Sequence, residues 1–189
     1  MHVIKTLSVV GLFALSSVAL ADLPDQFETV EELMYAHQDY DPSNDTFEML
    51  DADTPHYRLS KIAWKTEPES VTYYENWRAA AYGIYNVFAH TPIESVTVSA
   101  IPYQIPSFQR ADEGTLLNDR EVTIHINRDQ ALDAISSLID VDSLTDVKTQ
   151  TEYGFQWSDD YIDVYYEDRS PGLDALISEL KPYCVNNCQ

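Results

Sequence analysis

The chain has 189 residues and a formal net charge of −21, from 11 Lys and Arg against 32 Asp and Glu, with 5 Gly and 2 Cys. That length suits one compact domain, and a composition of 44% hydrophobic and 12% aromatic residues supplies enough apolar side chain for a core, which excludes a disordered chain. The acid excess excludes a nucleic-acid binder and a binder of anionic lipid, because both need a basic surface to neutralise phosphates.

Residues 1–5 carry Lys5 as a lone cation, residues 7–15 are almost wholly apolar, and Ala19-Leu20-Ala21 places small residues just before Asp22. This is the pattern of a secretory signal over 1–21, cleaved before Asp22. A periplasmic or secreted product is therefore expected. The apolar run is too short for a spanning helix, which needs about 20 residues, and Asp22 rather than Cys follows the cut. Neither a membrane span nor a lipid anchor is expected.

Residues 22–55 hold eleven acids and no Lys or Arg. They read as an acidic arm in front of a single domain over 56–189. Within the arm, Thr29 and Glu32 make a capping box and Val30, Leu33, Met34 and His37 share one face, which predicts a short helix over 29–38. Residues 39–55 read as loop, and 57–64 are compatible with an extra strand.

Trp77, Ala81, Ile84, Tyr85 and Phe88 recur at helical spacing until Thr91-Pro92 stops them, predicting a helix over about 71–90. Gly83 inside it implies a close approach by another part of the chain. Val96, Val98 and Ala100, and later Val122, Ile124 and Ile126, alternate with polar residues as two strands of a hairpin over about 94–126, joined by a long connection over 102–119. Asn127 and Gln130 cap a helix over about 128–139. Residues 151–167 read as a second hairpin turning at Ser158-Asp159-Asp160, and Ser170-Pro171 opens a last helix over about 171–181. The expected fold is α+β, an antiparallel sheet from two hairpins with the helices packed on it.

Export explains the cysteines: Cys184 and Cys188 are the only two, and an oxidising compartment would pair them as a clamp on the C-terminal tail. The densest oxygen cluster is Asp39, Asp41, Asn44, Asp45 and Glu48, a Ca²⁺ candidate. It departs from an EF-hand loop where Asn44 replaces the turn glycine and Leu50 the bidentate Glu. Alternation along the second hairpin would put Tyr153, Phe155 and Trp157 opposite Tyr161, Asp163 and Tyr165, rings beside carboxylates that could stack on a sugar. His37 and His56 lie in or beside the acidic arm, where zinc shared with Asp is a further reading.

No Gly-x-Ser-x-Gly, phosphate-cradling glycine loop or His-Glu-x-x-His occurs, and no catalytic residue is assigned. The main expectation is a non-enzymatic protein acting through a protein partner or self-association. The alternatives are a ligand-binding module, for glycan or for Ca²⁺, and an enzyme whose site assembles from scattered residues.

Overall fold

The computed structural model describes residues 25–186 and 188. The signal expected over 1–21 lies outside the described residues. In chain order come α1 (Val30–His37), β1 (Phe47–Asp51), β2 (His56–Leu59), β3 (Ile62–Trp64), α2 (Glu69–His90), β4 (Ser95–Ala100), β5 (Tyr103–Ile105) and β6 (Thr115–Leu116). They are followed by β7 (Val122–Asn127), α3 (Arg128–Ser136), β8 (Lys148–Thr151), β9 (Gly154–Trp157), α4 (Asp159–Tyr165), α5 (Leu173–Leu180) and β10 (Cys184–Asn186). The fold is α+β. No helix among the described residues is long and apolar enough to cross a membrane.

The main sheet has the order β1-β2-β4-β7-β10. The β4–β7 pair forms as expected, with Val96 opposite Ile126, Val98 opposite Ile124 and Ala100 opposite Val122. These six apolar side chains share the face covered by α2, because alternate residues of a strand point to one side. The sheet is mixed rather than purely antiparallel: β2 runs parallel to β4, and the connection between them carries α2, as a parallel pair requires a crossover.

The segment 47–51, read from sequence as loop, is the edge strand β1, antiparallel to β2. Its acids hide it, since Phe47 and Met49 face inward while Glu48 and Leu50 are exposed. The described part of the acidic segment is packed into the core through Val30, Leu33, Met34, Tyr40 and Phe47. Thr29 caps α1 by accepting from the Glu32 N–H at 3.2 Å.

α2 is buried along most of its length from Thr72 to His90. At Gly83 a Cβ would stand 2.9 Å from Val98 Cγ1 and 3.0 Å from Leu59 Cδ1, so the close neighbour implied by that glycine is the sheet face itself. The connection over 102–119 carries β5 and β6, which form a second, small sheet with β3.

The second hairpin differs from expectation. It is β8–β9, with Lys148 opposite Trp157 and Thr151 opposite Gly154, and Ser158-Asp159-Asp160 is the start of α4 rather than its turn. Ser158 accepts from the Tyr161 N–H, and two acids sit in the first turn, where the helix dipole favours them. Tyr161, Val164 and Tyr165, three and four residues apart, are buried on one helical face. The last helix begins at Leu173, after Gly172 at φ 82°, a left-handed conformation open to glycine.

Candidate functional site

Among the described residues, two concavities stand out by the groups that line them. The first lies where α1, α2 and the β8–β9 hairpin meet. Segment 25–27 runs along the end of α2, with Phe27 N–H donating to His90 O at 2.8 Å. The His37 and His90 rings meet edge to face, 4.7 Å between centroids, with Phe27 against both.

His90 Nδ1 must donate to the Asp25 carbonyl at 2.8 Å, which leaves its buried Nε2 with no partner. Burial pulls its pKa down to about 4, and the charges of Lys148 and His37 act in the same direction. His37 is lowered by burial first and by Lys148 second, against the opposing pull of Asp39 and Asp25.

Asn86 organises this cluster. Lys148 Nζ donates to its Oδ1 at 2.7 Å, so its amide N–H groups are the ones that reach His37 Nδ1 at 3.2 Å and the Tyr82 hydroxyl at 3.1 Å. Tyr82 in turn donates to Asp39 Oδ2 at 2.7 Å. A cleft of about 320 Å³ opens beside these groups, lined by His37, Asp39, Tyr82, Lys148, Phe155 and Trp157 among others.

The second place is a groove of about 680 Å³ between α1, β1 and the small sheet. Its floor is apolar: Met34, Phe47, Met49 and Leu116, with Tyr35, 80% exposed, at the lip. Glu31, Asp45 and Glu48 stand around it against the single cation Arg58. β1 bonds only to β2, so its outer backbone edge is free within the described sheet.

Four of the five Ca²⁺ candidates are held by other groups. Asp39 serves Tyr82, and Asp41 caps a 3₁₀ turn through Ser43 N–H, a bond that holds its carboxyl below the usual range. Asn44 accepts from Thr46, Asp45 ends the turn at φ 59°, and Glu48 pairs with Arg58 at 2.6 Å. No group of three or more His, Cys, Asp or Glu that could hold a metal ion occurs among the described residues.

The six aromatic-hairpin residues likewise do not share one open face. Tyr161 and Tyr165 are buried in α4, Asp163 lies on that same helix, Tyr153 is 83% exposed at the hairpin tip, and Phe155 borders the cleft. Trp157 has Tyr161 stacked at 4.4 Å and Lys148 Nζ at 3.3 Å from its ring centre, so its faces are taken.

On the polar face of the main sheet, Ser99 Oγ meets His56 Nε2 and Glu121 Oε1, each at 3.0 Å. Ser99 is only 1% exposed, so this hydroxyl is closed off from a substrate. His125 bonds Thr97 on the same face. Cys184 and Cys188 lie at disulfide distance, 5.7 Å between Cα atoms, beside the β7 edge that β10 pairs with.

Sequence reasoning missed Lys148, Asn86 and Tyr82. The available signal was two polar residues out of keeping with their surroundings: Asn86 within an apolar helix pattern, and Lys148 as the one cation between Arg128 and Arg169. Comparison with protein-family models, with curated proteins and with solved structures finds no match to this chain.

Proposed function

We propose that this chain is an exported protein that acts by contact rather than by turnover, holding a short extended segment of a partner protein in the groove beside β1. The observation that carries this reading is the coincidence, at one place, of an apolar floor, an acidic rim and an unpaired strand edge. An added strand gains its affinity from backbone hydrogen bonds and its specificity from alternate side chains. Here those alternate side chains would be apolar ones over Phe47 and Met49, and Lys or Arg facing Glu31, Asp45 and Glu48. The secretory pattern over 1–21 supports a periplasmic or extracellular setting.

Selection from a displayed library of random heptapeptides tests this directly. The expected result is enrichment of peptides that alternate apolar and basic residues, with affinity falling at least about tenfold in a Glu31→Lys/Glu48→Lys double variant, since rim charges of this kind steer and select partners. Failure to enrich such peptides overturns the reading. So does equal binding by the double variant, or self-association that occupies the groove in place of any peptide.

A further inference from the structure

We propose that Lys148 is a nucleophilic amine that captures a small aldehyde as an imine in the cleft between α1, α2 and the β8–β9 hairpin. This site is distinct from the groove at β1 and rests on none of the argument made for it. Lys148 opens β8, and its side chain lies over the ring of its register partner Trp157, with Nζ drawn to Asn86 Oδ1 at 2.7 Å. No carboxylate lies within ion-pair distance of it among the described residues, whereas Lys61 and four of the arginines are each paired with a Glu.

The groups facing it are His37 from α1, Asp39 just beyond that helix, Tyr82, Asn86 and His90 from α2, and Trp157 from β9 with Tyr161 and Tyr165 of α4 behind it. The one carboxylate among them, Asp39, is engaged by the Tyr82 hydroxyl. Desolvation therefore decides the state of the amine. It brings the pKa down to about 7, against the smaller upward pull of Asp39, so that near neutral pH a large fraction of Lys148 carries a free lone pair. Desolvated lysines of this kind are the ones that form Schiff bases.

The cleft of about 320 Å³ accommodates an aldehyde of a few carbons, with Phe155 on its apolar side. In the reaction the lone pair of the amine attacks the carbonyl carbon, the C=O π bond breaks, and one N–H proton passes to the oxygen to give a carbinolamine. The hydroxyl then departs with the second N–H proton as water while the C=N bond forms. No oxidant or reductant enters.

The test is reductive trapping with butanal and cyanoborohydride at pH 7, read by peptide mass spectrometry. Besides Lys148, the chain after residue 21 holds only Lys61, Lys65 and Lys181, which serve as internal references. An exposed lysine with a pKa near 10.4 is free amine to only about 1 part in 2,500 at that pH. Lys148 is expected to be butylated at least about tenfold faster than each reference, with a rate that saturates in butanal while the references respond linearly.

A Lys148→Arg variant puts a guanidinium, always charged and not nucleophilic at pH 7, beside the ring, and should lose the fast phase altogether. Labelling of Lys148 no faster than the references overturns the proposal. A rate at Lys148 that stays linear in butanal overturns it too, because it would show an amine without a binding cleft.

Discussion

Lys148 and Trp157 face each other across the β8–β9 hairpin, with Lys148 Nζ 3.3 Å from the centre of the Trp157 ring. The ring face favours the charged amine by about 0.5–2 kcal/mol. Burial opposes it and wins, since the pKa falls to about 7. The unfolded chain holds the same lysine near 10.4, so between pH 7 and 10 the unfolded state binds more protons and stability rises with pH across that window. The buried tyrosines, Tyr82 and Tyr165 among them, are pushed upward by burial, so the unfolded chain releases their protons first as pH nears 10, which trims the gain only at the top of that window. The urea midpoint should therefore be higher at pH 9.5 than at pH 7, and Lys148→Met should remove most of the difference. Equal midpoints in the unsubstituted protein would refute the assignment.

Asn86 provides a second handle on the same amine. Changing Asn86→Asp puts a carboxylate oxygen where Oδ1 now stands, 2.7 Å from Lys148 Nζ. An opposite charge at that range raises a lysine pKa by about 1–3 units. The titration midpoint of the Lys148 Cε resonance should move up by at least about one unit, and fast butylation at pH 7 should disappear. The same change removes the amide donors to His37 and Tyr82, so a drop in stability of about 1–3 kcal/mol should accompany it. A midpoint that does not move would mean that Asn86 does not sit beside the amine in solution.

His90 should make the fold sensitive to acid. Its folded pKa is about 4, through burial first, against about 6.5 in an unfolded chain. The unfolded state therefore takes up the proton first, and stability is lost as pH falls from about 6.5 towards 4. His37, lowered for the same reason and edge to face with His90, adds to the loss. Thermal melts at pH 7.0 and 5.5 should show a larger decrease in the unsubstituted protein than in His90→Gln. Identical decreases in the two would place the acid response elsewhere.

The elements legible from sequence are those whose signals are local. α2, α3 and the β4–β7 pair announce themselves by apolar period and by caps such as the Asn127–Gln130 box. α4 was hidden because Tyr161, Asp163 and Tyr165 alternate like a strand while Tyr161, Val164 and Tyr165 equally fit a helix, and Ser158 as N-cap decides between the two. β1 was hidden by Glu48 and Asp51 on an edge, where one side of the strand is wet. The parallel pairing of β2 with β4 leaves no local mark at all, since its partners are separated by the whole of α2. The cluster around Lys148 is drawn from four separate parts of the chain, so nothing short of the fold brings it together.

Gly83→Ala tests how tightly α2 sits on the sheet. Alanine in a helix interior is favoured over glycine by about 1 kcal/mol, yet its Cβ would stand 2.9 Å from Val98 Cγ1. Val98 is fully buried and β-branched, so it has little freedom to turn aside. Overpacking of this kind costs about 1–3 kcal/mol. The expected net result is a loss of about 1 kcal/mol in urea unfolding, and a gain would show that the helix can lift from the sheet without penalty.

The pair Cys184–Cys188 should contribute little to the stability of the fold. Joining two cysteines four residues apart removes only a small loop from the unfolded ensemble, which corresponds to about 2 kcal/mol at most by loop-closure entropy. β10 itself is held to β7 by its own strand pairing, on the outer edge of the sheet, and the core residues of α2, β4 and β7 do not depend on it. Treatment with dithiothreitol should lower the unfolding free energy by no more than about 2 kcal/mol and leave the far-ultraviolet circular dichroism unchanged. Loss of helical signal on reduction would instead make the bridge a condition of folding, which a five-residue loop gives no physical reason to expect.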